Sequence, residues 1–195
     1  MFSGRKAGQK LQTIAVKGAD RGLGATHLSL CLANALAMTG RVAMLEWNAG
    51  NDLAEIEKIF SGFGFQAGNE KMFRIRRVDY YKHYQERGLA GLKKENYDWI
   101  IADLGTYAHP YFAEADHPVL VVSGSEWRAG KALLTVKAAE AEVGRRLKVF
   151  INFGNQEELL FFQRKSQAQI YNFPFWKDAF SSTKEQREHL SQIFW

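Results

Sequence analysis

The chain of 195 residues contains one cysteine and five histidines. A lone Cys31 excludes an internal disulfide, and its place in an apolar helical pattern marks it as a core residue rather than a nucleophile. His27, His83, His109, His117 and His189 show no metal-ligand spacing. No Ser-His-Asp order stands out as a hydrolase triad. No apolar run approaches the ~20 residues of a membrane span. Residues 1–10 are basic and polar and lack the apolar centre of a secretory signal, so a cytoplasmic location is expected. No internal repeat or low-complexity tract is visible.

What is present is a globular composition. The hydrophobic fraction is 46%, and the formal charge of +5 permits contact with nucleic acid or anionic lipid without demanding it. The length suits a single domain over residues 1–195, with a flexible stretch at 1–10 and a C-terminal helix at 183–195.

Residues 12–48 organise the rest. An apolar run (Ile14, Ala15, Val16) enters a turn holding Gly18, Gly22 and Gly24. An apolar-periodic helix follows (Leu28, Leu30, Leu32, Ala35, Leu36), then a second apolar run at 42–45. That is the βαβ unit that binds phosphates, with backbone N–H groups turned inward and a helix N-terminus behind them. The loop departs from the working pattern G-x-x-x-x-G-K-[ST]. Gly24 keeps the second glycine and Thr26 the magnesium hydroxyl. Ala25 stands in the lysine position and Ala19 in that of the first glycine, with Gly18 one residue early. His27 opens the helix, where the dipole favours a neutral imidazole; no catalytic role is assigned to it.

Further along, Asp52 is placed to cap a short helix over 53–60, and 61–68 reads as a glycine-rich loop. Residues 73–78 alternate apolar and basic (Phe73, Ile75, Val78 against Arg74, Arg76, Arg77), the period of a half-exposed edge strand. Residues 80–94 mix Tyr80, Tyr81 and Tyr84 with cations and read as an amphipathic connector, with a partner or nucleic-acid surface as the alternative. Strands are expected at 97–102, 119–123, 148–151 and 170–173. Helices are expected at 130–143 and 157–165, and Thr183 with Gln186 forms a capping-box spacing before the last one. Strands alternating with helices predict an α/β fold: a mostly parallel, twisted sheet with helices on both faces. Ligands in such sheets bind at the carboxyl ends of the strands. Thr26, Asn48, Asp103 and Asn152 all fall there. Asp103 has the position of a Walker-B carboxylate at an exposed strand end, so Thr26 and Asp103 are the candidate magnesium ligands. Asn152 offers an amide that could read a base edge.

With these residues in place, the chain resembles the ParA/MinD family of deviant-Walker P-loop ATPases over roughly residues 12–179. TIAVKGADRGLGATHLSLCLANALA looks like the family's Walker A strand, loop and helix. RVAMLEWN is similar to its second strand, YDWIIADLG to its Walker B segment and VLVVSGSEW to the next core strand. KVFINF resembles the strand ending in a base-binding Asn, and YNFPFWKDAF the stretch near the nucleotide. The resemblance implies a P-loop NTPase fold, an ATP or ADP site with Mg2+, and a nucleotide site made of Gly18, Arg21, Gly22, Gly24, Ala25, Thr26, His27, Asn48, Asp103 and Asn152. The departures fall on the chemistry. The family's signature lysine falls at Asp20, its Walker A lysine at Ala25, and the aspartate that positions attacking water at Asn48. Arg21 stands one residue from the signature position. The expectation is weak nucleotide binding or none, and weak hydrolysis or none.

Members of the family with eroded ATP sites include the TadZ/CpaE-like proteins, which localise pilus or secretion machinery. The resemblance thus implies a scaffold or regulator that binds protein partners of a bacterial surface or secretion assembly. Two alternatives are an ATPase using Arg21 in place of the missing lysines and a DNA-partition factor using the basic stretch 74–77; nucleic acid is not the expected partner. MinD-type proteins end in a membrane-binding helix, but here Lys184 and Arg187 alternate with Glu185 and Glu188. A helix docked on the core or a partner is therefore expected rather than one peripheral to the inner face of the membrane. A homodimer, if formed, is expected to be unswitched by ATP and to use apolar surface such as residues 173–176 or Phe194 and Trp195.

Overall fold

A computed structural model describes residues 10–60, 71–84, 88–173, 176–181 and 183–194. The expected loop at 61–68 lies outside them. Eight strands form one sheet: β1 (Gln12–Gly18), β2 (Val42–Glu46), β3 (Met72–Ile75), β4 (Val78–Tyr81), β5 (Trp99–Asp103), β6 (His117–Ser123), β7 (Lys148–Asn152) and β8 (Gln169–Asn172). Their spatial order is β3-β4-β2-β5-β1-β6-β7-β8, and all neighbours are parallel except the antiparallel β3–β4 pair. The expected α/β fold is the one observed. Among the described residues five α-helices lie between strands, α1 (Ala25–Leu36), α2 (Asp52–Phe60), α3 (Tyr111–Glu114), α4 (Ala129–Val143) and α5 (Gln156–Lys165), and α6 (Lys184–Gln192) follows β8.

The strands read as continuous apolar runs because both faces are covered. Ile14 and Val16 of β1 face one core, with Leu28 and Leu32 of α1 and Leu190 and Phe194 of the C-terminal segment. Ala15 faces the other, with Val136 of α4 and Phe162 of α5. Alternation along one strand thus feeds two layers of helices.

Four expectations need correction. Residues 73–78 are not one strand. The chain turns at Arg76, which has a φ of 55°, and returns as β4, so β3 alone forms the edge. Tyr80 and Tyr84 are not surface residues: Tyr80 is fully buried against Phe73, and Tyr84 packs on Trp47. Arg74 is not free for a phosphate, since its guanidinium holds the buried Asp79 carboxylate together with Arg41 and Tyr97. Trp176 and Phe194 are buried, which removes them as a self-association surface. The C-terminal helix behaves as its mixed charges suggest. Thr183 and Gln186 close a reciprocal cap, and the apolar side of α6 lies on α1.

A candidate phosphate-binding cleft

Strand β1 delivers Gly18 to the carboxyl edge of the sheet, where its N–H donates to the Gly105 carbonyl at 2.7 Å. The loop then needs left-handed backbone at Gly22 (φ 76°) and Gly24 (φ 91°), which L side chains rarely adopt. Gly24 is the N-cap of α1, and no side chain caps that helix. Its first N–H groups therefore carry the partial positive charge that suits an anion.

Thr26 Oγ1 donates to Asp103 Oδ2 at 2.7 Å, and the Gly105 N–H donates to Asp103 Oδ1 at 3.0 Å. Asp103 is only 1% exposed, which corrects the expectation of a carboxylate at an exposed strand end. Burial pushes its carboxyl up to about 6, against the two hydrogen bonds and with help from nearby Asp52 and Glu46. Asp52 Oδ2 stands 3.4 Å from the Thr26 hydroxyl. Asn48 Nδ2 donates to the Asp103 carbonyl at 3.0 Å, while its Oδ1 accepts the Gly50 N–H at 2.6 Å. A carboxylate at position 48 could not make the first of these bonds. The amide is what this junction of β2 and β5 requires.

Sequence reasoning missed Glu46. It lies in register with Asp103, is 1% exposed, and accepts the Leu53 N–H at 3.1 Å and the His83 N–H at 3.3 Å. Glu46 thereby takes the capping role at α2 that the spacing gave to Asp52. Its place as the last residue of an apolar strand was the available signal.

A cleft of about 770 Å³ opens over the loop, lined among others by Arg21, Gly22, Gly24, Ala25, Thr26, His27, Asn48 and Asp52. Gly18, Asp103 and Asn152 do not line it. Asp103 meets it through Thr26, and Asn152 holds the loop at Leu23. There its Nδ2 donates to the Leu23 carbonyl at 2.8 Å and its Oδ1 accepts the Phe153 N–H at 2.9 Å, so both ends of the amide are engaged. A Cβ built on Gly24 would stand 3.4 Å from Phe173 Cζ and 3.4 Å from Asn152 Nδ2. The Phe173 ring thus lies against Gly24, and His27 stacks on it at 6.1 Å.

The residues present fit part of a nucleotide-magnesium group. Thr26 and Asp103 offer two oxygen donors to a hard cation. Among the described residues no group of three or more His, Cys, Asp or Glu could hold a metal unaided. Ala25 supplies no cation for the β/γ-phosphates. The Asp20 carboxylate, at the signature position, pairs with Lys131 at 3.3 Å and Arg128 at 3.7 Å. A triphosphate nucleotide is thus poorly matched.

Strand order, glycine loop and Walker-B-like carboxylate together define a P-loop fold on a mostly parallel sheet. No family model matches the chain, and no curated protein matches it by sequence. Solved structures match it in fold, ParA- and MinD-type ATPases among them: the protein has the fold of those ATPases. It is similar to a plasmid partition protein from Borrelia burgdorferi, with a TM-score of 0.63, 13% identity, 95% of this chain and 98% of that one covered. It is similar to the MinD cell division protein of Aquifex aeolicus, with a TM-score of 0.64, 16% identity and coverage of 93% and 97%. A ParA family ATPase from Chlorobium tepidum gives 0.58, 15%, 95% and 92%. At such identities the likeness is one of fold.

Proposed function

We propose that the protein is a degenerate ParA/MinD-like scaffold or regulator, non-hydrolysing or weakly active, that binds protein partners to localise or assemble a bacterial surface or secretion apparatus. The observation that carries this reading is the inverted charge of the loop. An alanine replaces the phosphate-clamping lysine, and a carboxylate engaged with two cations of the α4 region replaces the signature lysine. Clamping cations contribute several kcal/mol to phosphoryl transfer. What remains is the backbone cradle with Thr26 and Asp103, enough for weak ATP or ADP with Mg2+. A complex of MinC with MinD is known from Aquifex aeolicus, and binding a partner does not itself require phosphoryl transfer. The expected location is the cytoplasm, peripheral to the membrane where a partner holds it there. No described helix is long and apolar enough to cross a bilayer.

Titration calorimetry with ATP and Mg2+, paired with a phosphate-release assay, tests this. The expected affinity is weaker than about micromolar, with no sustained turnover. Submicromolar binding with turnover would overturn it. A second reading rests on Arg21, which lines the cleft and has no side-chain partner among the described residues: an ATPase that uses this guanidinium as its clamp. Under that reading, turnover is present and Arg21→Ala abolishes it.

A further inference from the structure

We propose that Asp20 gates the glycine loop by holding Lys131, and that a phosphate-bearing anion entering the loop takes this lysine over as the clamp that Ala25 does not supply. The inference rests on the preceding reading in one respect, that the cleft accepts phosphate only weakly.

Asp20, Asp52 and Glu55 are the carboxylates that line the cleft among the described residues. Glu55 pairs with Lys58, and Asp52 stands beside the Thr26 hydroxyl, where a cation accompanying a phosphate would sit. Asp20 belongs to the glycine loop itself. Its Oδ1 accepts the Arg21 N–H at 2.9 Å, which fixes the side chain against the loop backbone. Its Oδ2 meets Lys131 Nζ at 3.3 Å and the Arg128 guanidinium at 3.7 Å. A phosphate brought to the loop therefore meets Asp20 as a like charge, and the two nearest α4 cations are already engaged by it.

Those cations are not equivalent. The Arg128 guanidinium lies over the Trp127 ring at 4.3 Å, a second hold on it. The Lys131 side chain is 74% exposed, and Asp20 is what ties it down. Its ammonium thus stands one hydrogen bond from a residue of the cleft wall, at the end of a flexible four-carbon stem. An exposed pair of this kind is weak, so exchanging it costs little. A phosphate carries more negative charge than one carboxylate and accepts more hydrogen bonds, so it competes with Asp20 for the ammonium.

Asp20→Asn isolates the charge. The amide oxygen can still accept the Arg21 N–H, so the loop keeps its turn while the hold on Lys131 weakens. The probes are inorganic pyrophosphate and ADP with Mg2+, titrated into the full chain by calorimetry. At low salt the variant should bind about threefold to tenfold more tightly than the parent, and the gain should shrink as salt rises. In the Asp20→Asn background, Lys131→Met should weaken binding by about threefold to tenfold. Lys165→Met, exposed in the last turn of α5, should leave it unchanged. A gain for either probe upholds the gate, and the probe that gains tells free phosphate from nucleotide as its source. Equal affinity of parent and variant, no binding by either, or indifference to Lys131→Met would overturn it. Submicromolar ADP binding by the parent, with a further gain in Asp20→Asn, would sink the weak-nucleotide reading alone. Weak binding by the parent with no gain would sink the gate alone.

Discussion

Lys131, in the first turn of α4, sets its ammonium 3.3 Å from the carboxylate of Asp20 in the glycine loop. The Arg21 N–H and then Lys131 hold that carboxyl below its usual range, so it is charged at neutral pH. The ParA/MinD resemblance implies, at the position of Asp20, a lysine that would cross to a partner subunit's nucleotide. Here the side chain is turned onto its own subunit and has the opposite sign. Self-association should therefore not respond to nucleotide. Light scattering with and without ATP and Mg2+ should give the same mass, and a dimer appearing only with ATP would contradict this.

Ala25→Lys should restore one phosphate clamp and tighten ATP binding by about tenfold, the worth of a single charge-assisted contact. Phe173 over Gly24 should keep the gain from growing further. Calorimetry of the variant against the parent measures it. No change would mean that the loop cradle itself does not accept phosphate.

Asp103→Asn and Asp103→Ala should part company. The asparagine can still accept the Gly105 N–H and donate to the Thr26 hydroxyl, and it no longer buries a charge. Its melting should match the parent within about 1 kcal/mol, or exceed it. The alanine leaves both partners unsatisfied and should cost about 1–3 kcal/mol. Any Mg2+-dependent nucleotide binding should vanish in both, by calorimetry beside thermal melts.

His117 supplies a pH dependence. Its Nε2 lies 3.2 Å from Gln12 Oε1, and Phe194 meets its ring edge-on. Burial, and then the Lys148 charge, lower its pKa from 6.5 to about 4. The fold thus prefers the neutral ring, while the unfolded chain takes up the proton first. The associated stability is present above pH 6.5 and is lost as pH falls from there to about 4. The loss should be on the order of 2 kcal/mol after partial solvent screening. Urea melts across that window should show a flatter slope for His117→Asn.

Asp79→Ala should destabilise by about 1–3 kcal/mol, because it removes the carboxylate shared by the half-exposed Arg74 and Arg41 and by the Tyr97 hydroxyl, which keeps its contact with Tyr81. A lowered urea midpoint with unchanged slope is the expected result.

The sheet and the loop were legible in the chain because apolar runs ending in Gly18, Asp103 and Asn152 are local patterns. So was the α6 cap at Thr183 and Gln186. The β3–β4 hairpin was not, since Arg76 adopts its left-handed turn without the glycine or asparagine that usually announces one. The environments of the site residues were hidden for a different reason. Nothing near Asn152 in sequence says that Leu23 will take its amide. Nothing near Asp20 says that Arg128 and Lys131 will meet it. Those contacts join residues more than a hundred positions apart. Burial of Asp103 depends likewise on Thr26 and Gly105 closing over it.

The position of β1 in the interior of the sheet has a consequence for synthesis. Ile14 pairs with Ile101 on one side and with His117 on the other. The ribosome makes β1 and α1 before β5 and β6, so neither hydrogen-bonding edge of β1 can be filled until Trp99 and the residues after it have emerged. At roughly 5–20 residues per second, the nascent apolar helix and its strand wait several seconds without their neighbours. That is an interval in which a chaperone, or another nascent copy, meets the future centre of the sheet before its own strands do.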